Sequence, residues 1–179
     1  MRVIGGIYKR RLLEWPDDAA HIRPTKDRIR ESIFSALGPL DDLKSLDLYS
    51  GSGAMGIESL SRGCSFATFV DNNKIAIDTT KKNLSSLGIK NAKVLYMTDN
   101  MAIESFIQNK EVFDILFLDP PYQQGRYSEI ISLFINNNLL SEHAIIVIES
   151  NRDIDFPNEW YQKRKDYQYG EVKVIILWR

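Results

Sequence analysis

From residue 45 to residue 149 the chain alternates short apolar runs with longer amphipathic segments, and this alternation limits the possible folds more than any other feature. Short runs rich in Val, Ile, Leu and Phe are typical of strands buried in a parallel sheet. Each run is followed by a segment with helical spacing, which predicts repeated β-α-β units with helices on both faces of the sheet. The predicted strands are 45–49, 66–71, 92–97, 113–118 and 144–149, and the predicted helices are 54–62, 74–87, 101–109 and 127–136.

The N-terminal part of the chain departs from this pattern. Gly5-Gly6 lies between apolar pairs and predicts a β-hairpin over residues 1–15. Thr25 is a candidate N-cap for a helix over residues 25–37. The apolar stripe of that helix consists of Ile29, Ile33, Phe34 and Leu37. We expect Arg23, Lys26 and Arg30 to lie outside the stripe, toward solvent or a ligand.

The C-terminal part changes character as well. Segments 160–169 and 172–178 flank Gly170 and predict an antiparallel hairpin that closes one edge of the sheet. We therefore expect one α/β domain over residues 1–179, built on a mostly parallel seven-stranded sheet. Within it, residues 1–40 are expected to form a basic extension and residues 41–179 the core.

The composition excludes several classes of protein. The single cysteine, Cys64, cannot form an internal disulfide, which favours a reducing, cytoplasmic environment. No apolar run approaches the ~18–20 residues that a membrane span needs, so we expect no membrane association. His21 and His143 lie far apart without a metal-binding pattern, so we expect no metal site. The first 30 residues contain eight Lys or Arg and four Asp or Glu, which suggests a basic surface on a nearly neutral body.

The fourth predicted strand ends in the motif Asp119-Pro120-Pro121-Tyr122. The two prolines lack backbone N–H groups, so strand pairing stops there and the turn is stiff. In open α/β sheets, ligands bind at the carboxyl ends of the strands. Asp119 and the Pro120 carbonyl can accept the two hydrogens of an exocyclic amine on a nucleobase, while Tyr122 can stack on its face. Taken alone, the motif could equally be only a rigid turn.

A second motif joins the first predicted strand to the first predicted helix. Residues 51–56 match G-x-G-x-x-G, and Asp71 follows at the end of the next strand. This layout predicts an adenosyl cofactor, with Asp71 accepting hydrogen bonds from the ribose. Asp47 would repel a pyrophosphate but suits the cationic methionine of S-adenosylmethionine, and Asp99 could accept a bond from the adenine amine. The predicted cofactor-binding residues are Asp47, Tyr49, Gly51, Gly53, Asp71, Asn72, Asp99 and Asn100.

Together these motifs resemble the class I S-adenosylmethionine-dependent methyltransferases, in particular the amino-methylating branch with a D-P-P-Y motif. Essentially the whole chain is similar to the RsmD type of bacterial 16S ribosomal RNA guanine-N2 methyltransferase. The similarity rests on the blocks Arg2-Val-Ile-Gly-Gly, Lys9-Arg10-Arg11-Leu, Arg23-Pro-Thr-Lys-Asp-Arg-Ile-Arg-Glu-Ser-Ile-Phe, Asp47-Leu-Tyr-Ser-Gly-Ser-Gly-Ala-Met-Gly-Ile-Glu and Leu60-Ser-Arg-Gly. Tyr49 and Ser50 depart mildly from that family, which often has Phe and Ala there.

The resemblance implies a Rossmann-like class I methyltransferase fold and S-adenosyl-L-methionine as the cofactor. It also implies methylation of the 2-amino group of a guanine in 16S rRNA, in an assembled small ribosomal subunit, by a protein that we expect to be a cytoplasmic monomer. The predicted catalytic residues are Asp119, Pro120, Pro121 and Tyr122. The predicted RNA-binding residues, which would contact phosphates, are Lys9, Arg10, Arg11, Arg23, Lys26 and Arg28.

Three other functions stay open at this point. The D-P-P-Y motif also suits an adenine-N6 methyltransferase that acts on DNA or RNA. The glycine motif with Asp71 also suits an NAD-dependent oxidoreductase, although Asp47 is badly placed for a pyrophosphate. A non-catalytic RNA-binding domain would share the basic N-terminal segment.

Overall fold

The computed structural model describes residues 1–16, 27–121 and 125–179. Within these residues, seven strands form one sheet in the order β3-β2-β1-β4-β5-β7-β6. The strands are β1 (Lys44–Asp47), β2 (Phe66–Asp71), β3 (Ala92–Tyr96), β4 (Phe113–Leu118), β5 (Leu140–Ser150), β6 (Lys163–Tyr169) and β7 (Val172–Trp178). Neighbours from β3 to β5 are parallel, whereas β7 is antiparallel to both β5 and β6. The predicted α/β sheet with its C-terminal antiparallel hairpin is confirmed.

Helices connect the parallel strands, as the alternating pattern predicts. In the described part of the chain they are α1 (Asp27–Leu37), α2 (Ala54–Ser61), α3 (Lys74–Leu87), α4 (Asp99–Asn109) and α5 (Tyr127–Asn136), with a short 3₁₀ helix at Asn158–Trp160. The ends of α3 follow from local chemistry. The Asn73 side chain accepts hydrogen bonds from the first turn, and Gly88 ends the helix in the left-handed conformation. No helix within the described ranges is long and apolar enough to cross a membrane.

The helices cover both faces of the sheet, because the central strands are apolar on both sides. Helices α1, α2 and α3 pack on one face, called here the α1 face, where Phe34 lies 5.7 Å from Phe117 between ring centroids. Helices α4 and α5 pack on the other face, around Phe106, Phe113 and Phe134. The carboxyl ends of the parallel strands remain at one open edge.

Several predicted boundaries are wrong for local reasons. The third strand ends at Tyr96 rather than at residue 97, and Asp99 is already the first residue of α4. That helix starts earlier than predicted because the Thr98 side chain caps it by accepting a hydrogen bond from the Met101 N–H. Strand β5 starts at Leu140, which pairs with Phe113 ahead of a register shift in β4.

The N-terminal segment is held by α2 rather than by a regular hairpin. It forms one antiparallel bridge, between Arg2 and Leu12. The Ile4 and Gly5 N–H groups donate to the carboxylate of Glu58 at 2.7 and 2.8 Å. The predicted start of the first helix at Thr25 lies outside the described residues. This docking explains why a segment with so few strand contacts of its own keeps a defined position.

The expectation that Arg30 lies outside the apolar stripe is wrong, because the Arg30 side chain is fully buried. Arg30, Ile33, Phe34 and Leu37 follow one another at the spacing of a single helix face, so the pattern itself placed Arg30 on the buried stripe. Its Nη2 donates to the Arg2 carbonyl at 2.6 Å and to Asp27 at 2.8 Å.

Candidate active site

Three acidic side chains meet at the carboxyl ends of neighbouring strands. Asp47 ends β1, Asp119 follows β4 directly, and Glu149 is the penultimate residue of β5. The pairing of β1 with β4 and of β4 with β5 brings them to the same edge of the sheet. All three line a first cleft with about 590 Å³ of empty space, whose other lining residues include Met1, Trp15, Arg30, Ser50, Gly51 and Ser52.

The glycine loop between β1 and α2 is folded tightly against the strands behind it. Gly53 has a φ of 80°, and a Cβ there would lie 2.9 Å from the Thr80 side chain, so only glycine fits without strain. The Thr80 hydroxyl in turn donates to the Gly51 carbonyl at 2.9 Å. Gly51 itself lines the first cleft. Gly53 supports the loop and is not among the residues that line either cleft.

Asp47 is a buried acid, and one long hydrogen bond offsets little of the cost of burying its charge. Its Oδ2 accepts a hydrogen bond from the Gly56 N–H at 3.1 Å. The pKa of Asp47 is raised to about 7: burial raises it most, the Gly56 N–H lowers it, and the nearby Asp71 charge raises it. A cationic ligand in this cleft would stabilise the ionised form.

A second cleft, with about 690 Å³ of empty space, lies beside the first, and Tyr49 lines both. It contains the predicted cofactor residues Asp71, Asn72, Asp99 and Asn100. Asp71 accepts hydrogen bonds from the Gly51 N–H and the Asn73 N–H, both at 2.8 Å. Burial raises the pKa of Asp71 despite these bonds. The structure thus brings the predicted cofactor residues, apart from Gly53, to two adjoining clefts.

Asp99 is held by more partners than the sequence suggests. Its Oδ2 accepts from the Tyr49 hydroxyl at 2.7 Å and from Arg126 Nη1 at 3.1 Å, and its Oδ1 accepts from the Asn100 N–H. Burial, and then the hydrogen bond to Asp99, raise the pKa of Tyr49. Arg126 also donates to Asn100 Oδ1 at 2.9 Å. The residue that follows the D-P-P-Y loop therefore reaches into the second cleft.

Asp119 is exposed and lines the first cleft. Its pKa is raised well above the usual range of an aspartate, first by desolvation in the cleft and then by the charges of Glu149 and Asp47. Pro120 is buried and Pro121 lines the second cleft. Tyr122 lies outside the described residues. The raised pKa gives the Asp119 carboxylate a greater tendency to take up a proton than an ordinary aspartate has.

Residues 1–178 match the family model described as Conserved hypothetical protein 95. The chain belongs to this family. It is 38% identical over 181 residues to YlbH of Bacillus subtilis (strain 168), a match that covers 98% of this chain and 97% of that protein. It is 36% identical over 158 residues to ribosomal RNA small subunit methyltransferase D of Escherichia coli (strain K12), covering 88% of this chain and 78% of that protein.

A solved structure supports the same family and the same fold. The structure of yhhF from Escherichia coli matches with a TM-score of 0.85 and 34% identity, over 100% of this chain and 97% of that chain. The resemblance to RsmD-type methyltransferases and the Rossmann-like fold are therefore confirmed.

Several site residues of this family member were missed by sequence reasoning. Glu149 could have been found, because it ends the predicted strand 144–149 and so lies near the carboxyl end of a central strand, as Asp47 and Asp119 do. Met1 and Trp15 carry no such signal, since only the folded N-terminal segment brings them to the cleft. Arg30 lines the cleft as well, and its Nε and Nη1 are buried and have no hydrogen-bond partner among the residues that the structure describes.

The predicted RNA-binding residues are only partly described. Lys9, Arg10 and Arg11 are exposed on the N-terminal segment, and Arg28 is exposed on α1. Arg11 Nη2 donates to the Ser86 carbonyl at 3.1 Å, so part of its guanidinium is engaged within the protein. Arg23 and Lys26 lie outside the described residues. In the ranges that the structure describes, no three His, Cys, Asp or Glu residues form a cluster that could hold a metal ion.

Proposed function

We propose that this protein transfers a methyl group from S-adenosyl-L-methionine to the exocyclic 2-amino group of a guanine in 16S ribosomal RNA. Membership of the family supports methyl transfer to ribosomal RNA, because the Escherichia coli relative is named a ribosomal RNA small subunit methyltransferase. The observation that carries the proposal is that Asp119 and the glycine loop share one cleft, which adjoins a second cleft lined by Asp71 and Asp99.

The first cleft suits the charge of S-adenosylmethionine better than that of a dinucleotide. A pyrophosphate placed against the glycine loop would face the acids Asp47, Asp119 and Glu149 in one cleft. The ammonium and sulfonium of S-adenosylmethionine would instead gain from these acids. Asp47, whose pKa is raised to about 7 chiefly by burial, is the residue that we assign to the methionine part.

The second cleft suits the adenosine part of the cofactor. Each carboxylate oxygen has two acceptor sites, and the Asp71 oxygens accept backbone N–H groups from Gly51 and Asn73, one on each oxygen. Asp71 therefore keeps acceptor capacity for the ribose hydroxyls, with Asn72 beside it. Asp99 and Asn100 are left for the base, and Tyr49 connects the adenosine cleft to the first cleft.

Catalysis in this site rests on positioning the acceptor amine. When bound, S-adenosylmethionine supplies a methyl carbon on a sulfonium, and its transfer to the amine nitrogen leaves S-adenosylhomocysteine and releases one amine proton. Asp119 and the Pro120 carbonyl accept the two hydrogens of the guanine amine and direct its nitrogen into the cleft. The two prolines keep both acceptors at a fixed angle. Holding reactants at attack distance can supply about 7–11 kcal/mol of the barrier.

Asp119 also has the proton affinity to finish the reaction. Its raised pKa makes the ionised carboxylate more basic than an ordinary aspartate, so it can take the proton that the methylated amine loses. Tyr122 would stack on the base, and this role stays a prediction.

We also propose that the substrate is the assembled small subunit and that the protein acts as a monomer.

The proposal is tested by incubating the protein with labelled S-adenosylmethionine and small ribosomal subunits that lack the modification. Digestion of the RNA to nucleosides should place the label in N2-methylguanosine. Label in N6-methyladenosine would contradict the guanine assignment and support the adenine reading of the D-P-P-Y motif. Binding to the subunit without incorporation of label would contradict methyl transfer altogether.

A further inference from the structure

The C-terminal hairpin presents an ordered row of side chains on the α1 face of the sheet. Strand β6 contributes Lys163, Lys165, Tyr167 and Tyr169, called here the tyrosine face. Alternate residues of a strand point to the same side, so these four share one side of the hairpin. The two lysines are exposed. The two tyrosines are half-buried and pack against the same core cluster as α1.

The tyrosine face is continuous with the first cleft. Glu149, which lines that cleft, pairs with Val174 of β7, and Val174 pairs with Tyr167 of β6. Directly paired residues of antiparallel strands project to the same face, and strands are about 4.8 Å apart, so Tyr167 lies only about 10 Å from Glu149. Tyr169 lies two residues further along β6, toward the edge of the sheet that holds Asp119.

The two rings have the arrangement of a stacking platform. The rings of Tyr167 and Tyr169 are nearly parallel, with an interplanar angle of 16° and a centroid distance of 6.4 Å. Aromatic side chains on one face of a β-strand present flat surfaces at regular intervals. Proteins that bind single-stranded nucleic acids use such side chains to stack on successive bases. Because both tyrosine side chains already pack against the core, RNA binding would cost them less conformational entropy.

The charges beside the rings favour a polyanion. Lys163 and Lys165 precede the tyrosines on the same side of β6, and Lys163 Nζ lies 4.8 Å above the Trp178 ring. The acidic residue of this stretch, Asp166, lies on the opposite side of the strand and is paired with Arg164. A row of two cations followed by two aromatic rings suits phosphates followed by unstacked bases.

We propose that the tyrosine face binds a single-stranded RNA segment that flanks the nucleotide inserted in the first cleft. This inference rests on the proposed function, because it takes RNA as the substrate. A base that leaves its stack to reach Asp119 frees its neighbours from regular stacking as well. Tyr167 and Tyr169 receive those neighbours, and Lys163 and Lys165 bind the phosphates that follow. The surface therefore helps to hold the strand open beside the cleft.

The test measures binding of a fluorescein-labelled single-stranded RNA of about 12 nucleotides, a length within the usual footprint of such surfaces. Tyr167→Ala and Tyr169→Ala should each raise the dissociation constant about 5- to 100-fold. Tyr167→Phe and Tyr169→Phe keep the ring and should bind like the wild type. Gln168→Ala, on the opposite side of the same strand, is the matched control. Unchanged affinity for S-adenosylhomocysteine would show that each variant is folded.

The lysines are tested by the salt dependence of the same binding. Lys163→Gln and Lys165→Gln should each reduce the slope of log K against log salt by about 0.7. Lys90→Gln, an exposed site before β3 at the other end of the sheet, should leave the slope unchanged. If the lysines only protect an edge strand from aggregation, their replacement will lower solubility without changing the slope, and the phosphate assignment is then wrong.

The outcomes separate this surface from the proposed function. Normal methyl transfer by the wild type, with tyrosine variants that bind the RNA as tightly as Gln168→Ala, overturns the tyrosine face alone. Weaker RNA binding by the tyrosine variants, with a wild type that methylates no RNA, overturns the proposed function alone. If the tyrosine variants bind RNA normally but bind assembled small subunits weakly, the surface contacts ribosomal protein, and the RNA assignment is wrong.

Discussion

The Tyr49 hydroxyl donates a 2.7 Å hydrogen bond to Oδ2 of Asp99, at the junction of the two clefts. Arg126 Nη1 donates to the same oxygen at 3.1 Å. Because Arg126 follows the D-P-P-Y loop, this pair of bonds ties the adenosine cleft to the chain that leaves the proposed catalytic motif. The position of Asp99 thus depends on residues from two other segments of the fold.

Replacing Arg126 by Ala should weaken the binding of S-adenosylhomocysteine. The Asp99 side chain is only 12% exposed, so loss of the guanidinium leaves a partly buried carboxylate with one side-chain donor fewer. The Arg126 side chain is itself 27% exposed, and solvent recovers part of the loss, so we expect an effect of about fivefold. Titration calorimetry measures it. Glu129→Gln removes the exposed partner of Arg126 and should leave the affinity unchanged. Equal affinities for the two variants would show that Asp99 does not depend on Arg126.

Replacing Asp119 by Asn should abolish turnover and spare cofactor binding. The amide keeps the size of the side chain but loses the charge that accepts the amine hydrogens and the proton. We expect single-turnover methyl transfer to fall by at least about 100-fold, the usual scale for loss of a general base. Affinity for S-adenosylhomocysteine should change by less than about threefold. Glu104→Gln, exposed on α4, is the control. A variant with near-normal turnover would remove Asp119 from the mechanism.

Asp47 should make the cofactor-free protein less stable as the pH rises. Its pKa is 3.8 in the reference state and about 7 in the fold, so between these values the folded state keeps a proton that the unfolded chain has lost. Binding more protons in the folded state means that stability falls as the pH rises through this window and levels off above it. Asp71 and Asp119, whose pKa values are also raised, act in the same direction.

Asp47→Asn isolates the contribution of this one group, because the amide oxygen can still accept from the Gly56 N–H. The melting temperature of the variant should equal that of the wild type near pH 4 and exceed it by roughly 10–15 °C at pH 8. Thermal unfolding followed by circular dichroism measures both curves. Glu142→Gln, exposed near the start of β5, should run parallel to the wild type. Parallel curves for Asp47→Asn would show that Asp47 ionises normally.

The exposed N-terminal cations should contribute to the salt dependence of RNA binding. Lys9→Gln and Arg10→Gln should each reduce the slope of log K against log salt by about 0.7–0.9, because each phosphate contact releases a counterion. Arg11→Gln should have a smaller effect, since Arg11 is partly engaged with the Ser86 carbonyl. Binding to small subunits over a range of salt concentrations gives the slopes. If all three variants keep the wild-type slope, this segment does not contact phosphates.

The strand ends and the glycine loop could be predicted from sequence, because their signals are local. A run of apolar residues ending in Asp-Pro-Pro, or a run ending in Asp followed by Gly-x-Gly, fixes where a strand stops. Parallel pairing then fixes which strand ends meet, so Asp47 and Asp119 were predicted to lie at one edge.

Other parts of the site depend on contacts between distant segments. Glu58 binds Ile4 and Gly5 across more than fifty positions of the chain, and this docking carries Met1 to the first cleft. The partners of Asp99 come from Tyr49 and Arg126, and no spacing rule connects these three. The division into an extension over 1–40 and a core over 41–179 stays a prediction, and so does the stacking role of Tyr122.

A crystal structure with bound S-adenosylhomocysteine tests the central claim most directly, by locating the sulfur atom relative to Asp119. We expect the adenosine in the cleft of Asp71 and Asp99, the amino acid part beside Asp47, and the sulfur facing the same space as the Asp119 carboxylate. A ligand whose sulfur is separated from Asp119 by protein, with no open path between them, would contradict the account.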